Sequence, residues 1–198
     1  LDLLPRAFTR RTRVRAWIDL KARRFVVDAS SFRKAEELTS LVRSVLGSLP
    51  IVPPALKHSP ASTMTRWLEH PTSVPHMMKL GDSVLLKDLG DDGGEIRAKR
   101  QNVLSDEILS HIRTGMQVSQ LDMHYDAACT FKLNDDLRLS NFKFTDTLLE
   151  QSDSLNADTE AERFDADMTL MCSTLAGLID DQFMGLGGVE HQSDEVAA

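Results

Sequence analysis

Apolar and polar positions change period along the first third of the chain, and each change predicts an element. From Arg11 to Asp19 they alternate. Arg11, Arg13, Arg15 and Trp17 fall on one face; Thr12, Val14, Ala16 and Ile18 fall on the other. That is the period of a half-buried strand with its apolar side on a core. A Leu20-Lys21-Ala22 connection returns the chain through Arg23, Phe25 and Val27 as a second strand. From Ser31 the period lengthens: Phe32, Ala35, Leu38, Leu41, Val42, Val45 and Leu46 form one helical stripe, with Ser31 as N-cap and Gly47 at the left-handed stop. The prolines of SLPIVPP, 48–54, confine that segment to a sheet edge or a linker. Leu56 to Ala61 reads as loop, and Ser62 as the cap of a short helix, Thr63 to His70, ended by Pro71.

Farther on, His76 to Leu80 and Val84 to Lys87 read as two short strands, with a turn through Leu89–Gly94 and a strand from Glu95 to Gln101. Ser105 caps a helix that turns Ile108, Leu109 and Ile112 inward and closes at Gly115. Met116 to Phe144 reads as a three-stranded meander: Leu121, Met123 and Tyr125 alternate, then Cys129, Phe131 and Leu133, then Phe142 and Phe144. A long helix from about Asp158 to Met184 carries Phe164, Met168, Met171, Cys172, Leu175, Leu178, Ile179 and Phe183 at helical spacing. Gly185-Leu186-Gly187-Gly188 ends it. The expected fold is α+β: antiparallel sheets with packed helices and a long C-terminal helix. Its expected division is into 1–75 and 76–198, or one continuous unit.

Charge changes this picture by its distribution more than by its sum. The chain of 198 residues carries a formal net charge of −7. Yet residues 1–24 hold Arg6, Arg10, Arg11, Arg13, Arg15, Lys21, Arg23 and Arg24 against only Asp2 and Asp19. From Asn134 onward the bases are Arg138, Lys143 and Arg163. A phosphate backbone senses the local field within about 10 Å at ordinary salt, so a basic face can bind nucleic acid on an acidic protein. The competing reading, of equal weight from charge alone, pairs these arginines with acids elsewhere. No apolar run approaches the roughly 20 residues that span a bilayer, and no signal-peptide pattern opens the chain. Cys129 and Cys172 read as buried free thiols of a reducing cytoplasm, with a disulfide between them as the unneeded alternative.

Catalytic patterns are weak. The glycines at 185–188 close a helix, whereas a phosphate loop opens one. Asp165 and Asp167 are two apart on a helix and do not face each other. The histidines form no HxH or HxxxH pair, and the cysteines no ligand spacing. A metal-dependent nuclease using Asp82, Asp88, Asp91 and Asp92 lacks convergent spacing. The expectation is a non-enzyme with no cofactor or metal. For an interface between two copies, Phe164, Met168, Met171, Leu175 and Ile179 are the best candidate; burial against the protomer's own sheet competes.

A second basic cluster, GGEIRAKRQ at 93–101, puts Arg97, Lys99 and Gln101 on one face of a strand, with Arg100 opposite unless a turn intervenes. With LLPRAF at 3–8, VLGSLPIVP at 45–53, DGGEIRAKRQ at 92–101, RFDAD at 163–167 and LGG at 186–188, the chain resembles the bacterial recombination-associated RdgC family nearly end to end. The resemblance implies cytoplasmic, nucleoid-associated proteins that bind double-stranded DNA, with single-stranded DNA as a further partner, and with little sequence preference. It implies ring-shaped homodimers around a positively charged hole, and modulation of RecA-driven recombination. It also implies a longer chain, in keeping with Leu1–Leu4, which reads as the last turn of a helix begun upstream. Phe8 matches a family position tied to ring closure or the DNA-facing surface. Arg100 and Gln101 match the basic-Gln pair ending a RAKKQ-like motif, with Arg in place of the usual Lys, and Arg97 and Lys99 belong to the same motif. Arg11, Arg13 and Arg15 rest on the strand pattern alone. The alternative function is a protein-interaction module that inhibits a recombinase directly.

Overall fold

The computed structural model describes residues 12–90, 93–153 and 159–190. The chain falls into two compact units, Leu1–Pro53 and Pro54–Ala198.

In the first unit, β1 (Arg15–Asp19) pairs antiparallel with β2 (Arg24–Asp28) in register Arg15↔Asp28 to Asp19↔Arg24. The turn is built locally: Asp19 Oδ1 accepts from the backbone N–H groups of Lys21 (3.0 Å) and Ala22 (2.9 Å). Arg23 then closes it in the left-handed region at φ 54°. The strand is shorter than its alternation predicts, because residues 12–14 precede it and Arg11 lies outside the described residues. Nor does the expected apolar face find a core: Ile18 is 53% exposed, and Trp17 on the arginine side is the more covered. Helix α1 (Phe32–Leu46) follows the sequence reading closely, with Ser31 accepting from the Lys34 N–H and Gly47 at φ 79°. Its stripe is partly uncovered too, with Phe32, Leu41, Val45 and Leu46 exposed and Ala35, Leu38 and Val42 half-buried. No described residue of this unit is buried.

The second unit holds the core. Helix α2 (Pro60–Glu69) begins three residues before its expected start. Ser59 is the cap, and Pro60 occupies the first turn, where its missing N–H costs nothing. A five-stranded antiparallel sheet runs in the order β4-β3-β5-β6-β7. Its strands are β3 (Met78–Lys87), β4 (Glu95–Ala98), β5 (Gln117–Tyr125), β6 (Cys129–Asn134) and β7 (Leu139–Phe144). The two short strands expected over 76–87 are one, β3, whose register shifts between Leu80 and Val84. That bulge is what splits the alternation in the sequence. Helix α3 (Asp106–Arg113) turns Ile108 and Ile112 inward.

One face of the sheet, carrying Val84, Leu86, Leu121, Met123, Tyr125, Cys129, Phe131 and Leu133, joins Met64, Trp67 and Leu68 of α2, Ile108 and Ile112 of α3, and Leu178 in a single core. Each fully covered large side chain there contributes about 1.5–3 kcal/mol. Phe142 and Phe144 stack edge to face at 5.0 Å on the same side.

Helix α4 (Asp146–Asp153) was not expected from the periodicity; the Thr145 hydroxyl caps it, accepting from the Leu148 N–H at 3.3 Å. Leu178 lies on α5 (Glu160–Gly185), which opens with a full capping box between Thr159 and Glu162. It closes as expected, with Gly187 and Gly188 at φ 87° and 86° and the Gly188 N–H on the Phe183 carbonyl at 2.8 Å. The chain leaving α5 then pairs with the segment before α2: Glu190 donates to Ala55 (2.8 Å), Lys57 to Gly188 (3.1 Å) and His58 to Leu186 (3.2 Å).

Candidate nucleic-acid interface

The arginines of the first unit lie in solvent. Arg13, just before β1, and Arg15, on it, are both exposed. Phe8 and Arg11 lie outside the described residues.

The basic cluster of the second unit is more strongly organised. Strand β4 is a sheet edge, and its alternation sends Ile96 and Ala98 to the core and Arg97 outward. Had the strand continued to Gln101, Arg100 would point at the core. Instead it ends at Ala98, and Arg100 takes the left-handed region at φ 54°. That single residue breaks the alternation and leaves Lys99, Arg100 and Gln101 all exposed.

The turn is tied to its neighbour strand. The Gln101 N–H donates to the Asp82 carbonyl at 3.0 Å. Asp82 belongs to the β3 bulge, which is fixed in turn by the Asp122 carboxylate. Asp122 Oδ2 accepts from the Asp82 N–H at 3.4 Å and lies over Gly81, where any Cβ would run into it. The Ser83 hydroxyl donates to Asp82 Oδ1 at 2.9 Å. A residue-by-residue reading finds the basic cluster but not this anchorage, because Asp122 is 40 residues from Asp82.

Strand pairing brings further bases together that lie far apart in sequence. Lys79, His124, Thr130 and Lys143 are successive cross-strand partners over β3, β5, β6 and β7, on the face opposite the core. Lys132 and Arg97 share that face through Asp122 and Leu85. Lys79, His124, Lys132 and Lys143 are each isolated in the sequence, so no local pattern marks them.

Of the apolar α5 residues, Phe164 is 63% exposed and Met168 and Met171 are each 37% exposed, whereas Leu175 and Ile179 are half-buried. The stripe thus joins the core only along its C-terminal half. Among the described residues, no three His, Cys, Asp or Glu side chains stand close enough to hold a metal ion. None of the helices among them is long and apolar enough to cross a membrane. Cys129 is fully buried, its thiol pushed up to about 12 by burial, and forms no disulfide.

A family model described as "Putative exonuclease, RdgC" matches residues 1–189. The chain belongs to the RdgC family. Curated RdgC relatives, each called "Recombination-associated protein RdgC", agree. The protein of Aeromonas hydrophila is 40% identical over 188 residues, covering 95% of this chain and 62% of the relative. That of Serratia proteamaculans is 42% identical over 187 residues, covering 94% and 61%. That of Yersinia enterocolitica is 41% identical over 187 residues, with the same coverage. The chain therefore spans about three fifths of the length of these RdgC proteins.

Proposed function

We propose that this chain belongs to a DNA-binding protein that grips the phosphate backbone without reading bases, and that takes part in recombination as a homodimer closing around duplex DNA. One observation carries the reading: the outward turn of Lys99, Arg100 and Gln101 beside Arg97, held on the sheet edge by the Gln101–Asp82 hydrogen bond. Such a turn presents guanidinium and ammonium groups to an anion while its backbone is fixed. Lysines and arginines displace condensed counterions from the phosphates, which gives affinity without sequence preference. Arg13 and Arg15 offer the same chemistry in the first unit, Arg11 extends the set, and Phe8 would add an aromatic contact beside it. Family membership supports a role in recombination, where coating or encircling duplex DNA would restrain a RecA-type recombinase.

The test is binding of a labelled duplex against salt. Log affinity falls steeply as log salt rises, and Arg97→Ala with Arg100→Ala lowers both the affinity and the slope. Flat affinity across salt sinks the phosphate-contact reading. Incubation of end-labelled DNA with magnesium or manganese addresses the exonuclease description; the binder reading expects the DNA to stay intact.

The exposed Phe164, Met168 and Met171 favour a second reading, a protein-interaction surface on α5 that serves the homodimer or meets a recombinase directly. Leu175→Asp that leaves the solution mass of a dimer unchanged argues against the dimer role. If excess bare duplex fails to relieve inhibition of strand exchange, direct contact with the recombinase is the better account.

A further inference from the structure

The helices of the second unit bury their apolar residues against one face of the five-stranded sheet; its other face is polar and basic. That face can be read row by row from the strand register. Nearest the β4 edge, Arg97 stands opposite Leu85, Leu85 opposite Gln120, and Gln120 opposite Asn134. The two amides are joined by a Gln120 Nε2 to Asn134 Oδ1 hydrogen bond of 2.8 Å. In the next row Asp122 faces Lys132, and Lys132 faces Ser140. In the third, Lys79 faces His124, His124 faces Thr130, and Thr130 faces Lys143. Lys79, His124, Lys143 and Arg97 are exposed, and Lys132 is half-exposed.

Two acids share the face. Glu95 is matched by Lys87 at 3.3 Å, and Asp122 is engaged by the Asp82 backbone N–H. The face is therefore basic on a chain of net charge −7. Among its outward residues Leu85 is the one large apolar side chain. Leu85 is itself buried, so what the face presents to solvent is its bases and little apolar area, which suits a polyanion and not a protein core. It is also continuous with the Arg100–Gln101 turn, since the bulge at Gly81 and Asp82 that anchors the turn lies against Asp122.

We infer that this outer sheet face is a second phosphate-contact surface, over which a nucleic-acid duplex lies across the strands from the Arg97 edge to Lys143. The inference rests on the DNA-binding reading above and extends it from an edge turn to a whole face. Five strands at about 4.8 Å spacing make a platform about 19 Å wide. A duplex carries one phosphate charge per roughly 1.7 Å, so about eleven phosphates pass over that width. Lys79, Lys132, Lys143 and Arg97 are spread across the platform, while the Gln120, Asn134 and Ser140 side chains between them are held by hydrogen bonds within the sheet.

The experiment uses the full chain and a fluorescein-labelled 30-base-pair duplex, with anisotropy titrations at several salt concentrations. The double variant Lys79→Ala/Lys143→Ala changes two exposed side chains of the third row, Lys79 on β3 and Lys143 on β7, the edge strand opposite the turn. It should bind about tenfold more weakly at moderate salt, and its slope of log affinity against log salt should be shallower by about two. Arg66→Ala, on a helix whose buried residues join the core, should bind as the unaltered chain does, and melting curves should be unchanged for both. A double variant that binds with unaltered affinity and slope overturns the inference, as does an equal loss in Arg66→Ala, which would mean that only total charge matters. If Arg100→Ala weakens binding while Lys79→Ala/Lys143→Ala does not, the edge-turn reading stands and the platform alone is wrong. If the unaltered chain binds no duplex, both fall.

Discussion

The phenol of Tyr125 donates a 2.8 Å hydrogen bond to Oδ2 of Asp181, tying the end of β5 to α5. Gly177, one turn earlier on the helix, makes room for it, because a Cβ there would stand 2.9 Å from the phenol oxygen. Tyr125→Phe should therefore cost about 1.5–3 kcal/mol, the usual range for a hydrogen bond to a charged group. Gly177→Ala should destabilise the unaltered chain clearly and the Tyr125→Phe background much less. Urea midpoints for the two single variants and the double variant measure that coupling. Simple additivity of the two effects would mean that Gly177 is there for another reason.

Alkaline conditions should loosen the same region. Burial pushes the Cys129 thiol up to about 12, and it raises the Tyr125 phenol still further, helped by the hydrogen bond to Asp181. In the unfolded chain these groups release their protons at the ordinary values of 9.0 and 10.0, while the fold holds them on. Stability is then fully present below about pH 9 and is lost as pH rises toward the folded values. The urea midpoint should fall between about pH 8 and about pH 10.5, and Cys129→Ala should flatten part of that fall. A midpoint independent of pH over this span would contradict the buried, protonated thiol.

Arg100 is held in a conformation that suits glycine. Arg100→Gly relieves left-handed strain of about 1–3 kcal/mol, partly offset by a more flexible unfolded chain. The variant should melt at or above the temperature of the unaltered chain and yet bind duplex DNA more weakly, with a salt slope shallower by about one. Loss of stability together with affinity would assign Arg100 a structural role in place of a binding one.

The Gly81 bulge should control the turn from a distance. Gly81→Ala drives a methyl group into the Asp122 carboxylate, which frees the Asp82 amide and shifts the carbonyl that holds Gln101. DNA affinity should drop by about the same factor as in Arg100→Ala, and the two losses should not add. Asp122→Asn keeps an acceptor but removes a negative charge from the basic face, so it should tighten binding a few-fold at low salt. Weaker binding in Asp122→Asn would show that the carboxylate charge, and not merely an acceptor there, is needed to hold the turn.

Much of this fold is legible in the sequence wherever the information is local. Helix α1, the meander β5–β7 and the glycine-closed end of α5 follow from periodicity and from Ser31, Gly47 and Gly187. Misplaced boundaries have local causes as well. Ser62 reads as a cap, but the helix is capped by Ser59 and begins at Pro60, and the Gly81 bulge makes one strand look like two. Arg100 ended a strand early through its backbone conformation, which side-chain alternation does not record. The long-range features are another matter. Lys79, His124, Thr130 and Lys143 form a row only because three strand registers align them, and Asp122 reaches Gly81 for the same reason. Residues 12–53 show the converse. Their alternation and helical stripe were read correctly as elements, yet neither implied a buried residue, because periodicity reports which side is apolar and not whether anything covers it.

The ladder between Ala55–His58 and Leu186–Glu190 has a consequence for chain topology. It brings the first and last described segments of the second unit side by side, within about one strand spacing. A body whose ends meet can be carried by another polypeptide as an insertion, or opened elsewhere and rejoined, without redrawing its interior. Joining residue 190 to residue 54 through a short glycine-serine bridge, with new ends cut between β3 and β4, should yield a permuted protein with the same sheet and core.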